Sequence, residues 1–76
     1  MIALTLYTRS QCHLCEEMLA ELEPLIEGKA SVDVVDIDSD AALILRFGEI
    51  VPVLMHGGDE ISRLRLDRDR VQSLIA

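Results

Sequence analysis

Basic side chains are scarce in this sequence: seven lysines and arginines stand against fourteen aspartates and glutamates, a net charge of -7. A chain of that sign repels a phosphate backbone rather than releasing its counterions, so nucleic acid is not an expected partner. Long apolar runs are missing as well. None approaches the roughly 20 residues that a membrane span requires, and no basic segment leads into an apolar stretch near Met1. The expectation is a cytoplasmic protein with no membrane partner. The chain is also short: 76 residues bury only roughly 60 % of their unfolded surface on folding, which leaves room for a single domain, 1–76. Cysteine is limited to two positions, too few for the disulfide framework of a small secreted protein. They lie three apart, where loop entropy gives a bridge roughly 2 kcal/mol, so a structural staple would be better placed elsewhere.

What is present is unevenly arranged. Residues 1–45 hold nine acids against Arg9 and Lys29, whereas residues 46–76 hold five charges of each sign, so the N-terminal half carries the whole acidic excess. Ile2 to Thr8 is apolar on both faces and predicts a buried strand over 2–7. Cys15, Met18, Leu19, Leu22, Leu25 and Ile26 then recur at helical spacing, with glutamates between them, predicting an amphipathic helix over about 12–27. Pro24 should kink or shorten it, and Gly28 is a suitable stop. Val32 to Ile37 is a second β-branched run, and the helix between the two runs is the connection that a right-handed parallel crossover needs. Asp38, Ser39 or Asp40 can cap a short helix through Phe47, which Gly48 ends. Pro52 to Met55 and Ile61 to Leu64 flank His56-Gly57-Gly58-Asp59, the turn chemistry of an antiparallel hairpin. Asp67 opens a last helix that buries Val71, Leu74 and Ile75. The order is β-α-β-α-β-β-α, without repeats or linkers.

Cys12-His13-Leu14-Cys15 is the one feature that carries chemistry, and its meaning lies in its place after the first strand and at the opening of the first helix. A cysteine there faces unpaired backbone N–H groups and the positive end of the helix dipole, both of which favour thiolate. Cys12 is therefore the expected nucleophile. Cys15 falls on the apolar stripe, more buried yet within reach of a mixed disulfide at Cys12, and is the expected resolving thiol. Arg9 and a protonated His13 would stabilise the Cys12 thiolate, while Glu16 and Glu17 oppose it. His13 is a candidate tuning residue through a hydrogen bond or its charge. Tyr7, Met18 and Phe47 read as packing, and Arg63, Arg65, Arg68 and Arg70 as a solvated face linked to Asp67 and Asp69.

The run Tyr7-Thr8-Arg9-Ser10-Gln11-Cys12-His13-Leu14-Cys15, followed by Val51-Pro52-Val53-Leu54 before a hairpin and a terminal helix, resembles the glutaredoxin branch of the thioredoxin fold. It is especially similar to short bacterial glutaredoxin-like proteins with His-Leu between the cysteines, over essentially the whole chain. The resemblance implies an α/β thioredoxin-like fold in its minimal form, a four-stranded mixed sheet flanked by three helices. It further implies a thiol-disulfide oxidoreductase, with a cis peptide before Pro52 and with Val51 offering its backbone to a bound substrate. Arg9 would meet a glutathione carboxylate. The partners implied are a disulfide-containing protein or a small thiol, together with a reductase or glutathione as electron donor; no cofactor is held tightly. The sequence also departs from the family. His13-Leu14 replaces the common Pro-Tyr, and Arg65-Leu66-Asp67-Arg68 stands where glutaredoxins carry a glycine-rich, aspartate-bearing glutathione turn, so neither potential nor glutathione specificity transfers.

Two alternatives stand beside this reading. Small soft-metal chaperones bind copper(I) or zinc through C-x-x-C at the end of a first strand, but their chains end in a strand and usually carry methionine two residues before the first cysteine, where this chain has Ser10. A closed zinc site would need two more ligands, and only His13, wedged between the cysteines, and His56, a turn residue, remain; no metal ligand set is expected. The second alternative is a non-catalytic binding module of the same fold.

Overall fold

The computed structural model describes residues 1–76. Ile2–Thr8 forms β1, His13–Ile26 α1 and Ala30–Asp36 β2. Strands β1 and β2 run parallel, in a register that pairs Ile2 with Ala30 and Thr8 with Asp36. Helix α1 buries Cys15, Met18, Leu22 and Ile26, the stripe expected from the spacing. Pro24 lies on the exposed side, and the helix runs past it to Ile26. Gly28 follows at φ +76°, the left-handed turn that reverses the chain into β2.

Ile37, expected as the end of the second strand, instead begins a turn of 3-10 helix over Ile37–Ser39. The Asp36 carboxylate accepts from the Asp38 N–H at 2.9 Å, and the Ser39 hydroxyl donates to the Asp36 carbonyl at 2.9 Å. These local bonds compete with the strand ladder and lift the chain off the sheet edge. Asp40 then caps α2 (Ala41–Phe47) by accepting from the Ala42 N–H at 2.9 Å. Gly48 closes α2: a Cβ at this position would lie 2.5 Å from the Ile44 carbonyl oxygen, too close for any other residue.

Val53–His56 (β3) and Asp59–Arg63 (β4) form the hairpin, with Gly57 at φ +59° in its two-residue turn. The register slips between Leu54, which pairs with Ser62, and Met55, which pairs with Glu60. Ile61 is the extra residue of a bulge, and both it and Ser62 are buried. Asp67 caps α3 (Arg68–Ile75) by accepting from the Arg70 N–H at 3.1 Å. The sheet order is β2-β1-β3-β4, with β3 antiparallel to both its neighbours. This is the small thioredoxin-like α/β fold, β-α-β-α-β-β-α, with a four-stranded mixed sheet and three helices.

Alternation along β3 splits the core in two. Leu54 joins Leu4, Leu6, Met18, Leu22, Ile26, Ile61 and Val71 on the face covered by α1 and α3. Val53 and Met55 join Ile37 and Phe47 on the face covered by α2. Strand β3 is thus buried on both faces, which is why it reads as a continuous apolar run. The arginines near the last helix do not pair with Asp67 or Asp69 as expected. Arg63 pairs with Glu60 at 2.8 Å, and Arg70 donates to the Glu60 carbonyl at 2.9 Å, because the hairpin strand lies closer to them than the helix's own acids.

Candidate functional site

Gln11, at φ +57°, is a non-glycine residue in the left-handed region, and it turns the chain from β1 into α1. That turn puts Cys12 at the N-cap of α1 with an extended backbone. The Cys15 N–H donates to the Cys12 Sγ at 3.1 Å, and the Glu16 N–H donates to the Cys12 carbonyl at 3.2 Å. Cys12 and Cys15 are joined by a disulfide, with Cα atoms 5.2 Å apart. The two sulfurs are not equivalent. Cys12 is half-buried whereas Cys15 is only 4 % exposed on the core stripe, so an incoming thiol or disulfide reaches Cys12 first. The N–H that Cys15 aims at Cys12 is one of the orphan donors of the helix start, and it favours negative charge on that sulfur when the pair is reduced.

Around the pair, His13 is largely exposed, and its Nε2 lies 3.0 Å from Glu17 Oε1 one turn on, which draws the ring along the outer face of α1. Arg9 is committed elsewhere. Its Nε and Nη2 lie 2.9 and 2.8 Å from Asp38 Oδ1, and its Nη1 donates to the Gly48 carbonyl at 3.1 Å. One guanidinium therefore ties the loop after β1 to the 3-10 turn and to the end of α2, close in sequence to Val51 and Pro52. For Arg9 to meet a glutathione carboxylate as well, that carboxylate must share it with Asp38. Tyr7 stacks on Phe47 with ring centroids 4.5 Å apart, and the Arg46 guanidinium lies 4.8 Å over the Phe47 ring.

The Val51–Pro52 peptide bond is cis, and Pro52 is buried. Tyr7 pairs with Val53, so Pro52 sits at the end of β1 from which the cysteine loop departs. The Val51 N–H is taken by the Phe47 carbonyl at 3.1 Å, leaving the Val51 carbonyl as the backbone group open to a ligand. The Pro52 carbonyl accepts from the Leu64 N–H at 2.8 Å. Asp38, Gly48 and Leu64 are site-supporting residues that sequence reasoning missed. Asp38 and Gly48 lie 29 and 39 positions from Arg9, and nothing local marks Leu64 for its left-handed φ of 65°. His56 ends β3 at the edge remote from Pro52 and pairs with Asp59. No three His, Cys, Asp or Glu side chains are grouped to hold a metal ion, and no helix is long and apolar enough to cross a membrane.

Comparison with known proteins agrees with this geometry. A family model described as glutaredoxin-like domain (DUF836) matches residues 3–76. The crystal structure of a structural-genomics target protein, XcR50 from X. campestris, is 38% identical, with a TM-score of 0.70 over 93% of this chain and 92% of that one. The solution structure of the same protein superposes with a TM-score of 0.71 at 37% identity, over 97% and 91% of the two chains. A variant thioredoxin from Halobacterium salinarum is 28% identical, with a TM-score of 0.63 over 97% of this chain and 71% of its own. No curated protein matches the sequence.

Proposed function

Since the chain belongs to the glutaredoxin-like domain family, we propose that it is a thiol-disulfide oxidoreductase whose working groups are Cys12 and Cys15. The observation that carries the reading is the asymmetry of the Cys12–Cys15 disulfide: an accessible sulfur at a helix N-cap, receiving a backbone N–H at 3.1 Å, is bonded to a buried one. In the reduced protein the Cys12 thiolate attacks one sulfur of a substrate disulfide. A mixed disulfide forms, and the substrate's other sulfur leaves as a thiolate that takes up a proton. Cys15 then gives up its proton and attacks the Cys12 sulfur, closing the Cys12–Cys15 disulfide and expelling the second substrate thiolate, which is protonated in turn. Two electrons pass from the dithiol to the substrate, and one disulfide becomes two thiols. A thiol donor, glutathione or a dithiol reductase of the reducing cytoplasm, runs the same exchange in reverse to restore the pair.

Val51 and Pro52 form the substrate-binding loop beside Cys12, with the Val51 carbonyl accepting from a substrate N–H. Arg9 positions this loop through Asp38 and Gly48, and His13 is the tuning residue beside Cys12 at the helix start. The test is reduction of a disulfide-bearing peptide, followed by release of free thiol. Cys12→Ser should lose turnover while keeping the fold. Cys15→Ser should accumulate a mixed disulfide at Cys12, because nothing remains to resolve it. Undiminished turnover in Cys12→Ser would contradict the assignment.

A further inference from the structure

Beside the cysteine pair runs a shallow groove lined by Leu14, Leu64 and Leu66 together with Glu17, Glu21 and Arg65. Its place follows from two connections. Leu14 lies between the two cysteines, and Leu64 donates its N–H to the carbonyl of Pro52 at 2.8 Å. The groove is therefore bounded by the helix that carries the reactive sulfur and by the segment bonded to the substrate-binding loop. Leu64 is 41 % exposed and is held at φ 65°, a conformation that disfavours any residue bearing a Cβ. An exposed leucine kept there adds apolar lining to the groove rather than to the core.

Three leucine side chains with two carboxylates match a flexible apolar stem that ends in a positive charge. Glu21 has no ion-pair partner, and Glu17 touches only the exposed His13. Arg65 is unpaired as well, so the groove carries two carboxylates and one guanidinium and keeps a negative excess. We propose that this groove binds a lysine or arginine side chain of the disulfide-bearing substrate, close in sequence to the cysteine that Cys12 attacks. Selection for cationic segments around the target disulfide follows. The proposal rests on the disulfide-exchange reading, and its test separates the two.

Three disulfide peptides of equal length, flanked by lysine, glutamine or glutamate, are compared by kcat/KM at low and high ionic strength. Two exposed carboxylates should favour the lysine peptide over the glutamate peptide by about fivefold at low salt, and added salt should shrink the preference. The double variant Glu17→Gln/Glu21→Gln leaves Arg65 as the one charge of the groove and should abolish the lysine preference, bringing the ratio to one or below; both positions are exposed, so the fold is retained. Glu27→Gln removes one charge just beyond the far end of α1 and should leave the ratio intact. A ratio near one in the unaltered protein, or an equal fall with Glu27→Gln, overturns the groove assignment while turnover of the glutamine peptide upholds the exchange reading. If none of the three peptides is reduced, the exchange reading fails and the groove assignment falls with it.

Discussion

Removing the Arg9 guanidinium should loosen the site before it affects any ligand. Its two contacts with Asp38 Oδ1, at 2.8 and 2.9 Å, join side chains that are 38 and 34 % exposed. Solvent screens such a pair, so it contributes about 0.5–1 kcal/mol. The bond to the Gly48 carbonyl at 3.1 Å comes from a charged donor and adds roughly 1 kcal/mol. Arg9→Met keeps much of the apolar stem and loses both, a cost of about 1.5–2 kcal/mol, or roughly 6–16 °C in the melting midpoint of a domain this small. Asp38→Asn removes the ion pair together with the long 3.5 Å contact from the Ser10 hydroxyl to Asp38 Oδ2. A double-mutant cycle followed by thermal and urea unfolding should then return a coupling of about 0.5–1 kcal/mol between positions 9 and 38, smaller in high salt. Strict additivity within about 0.3 kcal/mol would refute the clamp. So would an Arg9→Met protein that melts like the parent while its KM for glutathione rises, since that pattern belongs to a ligand anchor.

Two further outcomes concern the hairpin. The Ser62 hydroxyl is buried without a hydrogen-bond partner, so Ser62→Ala should raise stability by about 1 kcal/mol, read as an upward shift of the urea midpoint at constant slope; a fall would show that the hydroxyl is satisfied. The Arg63 guanidinium, hydrogen-bonded to Glu60, holds that carboxyl below the usual carboxylate range. A group with a depressed folded pKa stabilises above its unfolded value and loses that contribution as pH falls through the folded one. The melting midpoint should therefore drop less steeply on acidification in Glu60→Gln than in the parent, and identical slopes would contradict the pairing.

The parts of the molecule that sequence specifies locally were legible. Asp67 announces its helix because an N-cap acts within three residues, the run Asp38-Ser39-Asp40 announces α2 without saying which of the three caps it, and Gly57-Gly58 announces a hairpin because few other pairs turn so tightly. Cys12 was legible for the same reason: a strand, a short polar turn and an amphipathic stripe place it at a helix start. Ile37 misled because its β-branched side chain extends the strand pattern, while Asp36 and Ser39 spend their hydrogen bonds on a turn. The partners of Arg9 were out of reach, since a contact across 29 residues depends on how the second strand and α2 dock. Arg63 showed the same limit over a shorter span, because the hairpin register decides that Glu60 is its neighbour. The groove beside the cysteines arises only when Leu14 and Leu64, fifty positions apart, meet.

The proposed function makes Cys12 and Cys15 a reversible couple with Cys12 as the reacting sulfur. The protein is equilibrated with glutathione buffers of graded redox ratio, free thiols are trapped at each point by alkylation, and the series is repeated with Cys15→Ser. A reversible couple gives one two-electron transition, shifting tenfold in equilibrium constant per roughly 30 mV, and a glutathione mixed disulfide at Cys12 in the variant. A pair that stays in one state across the whole series, or that is occupied by copper(I) or zinc at one ion per chain, would contradict it.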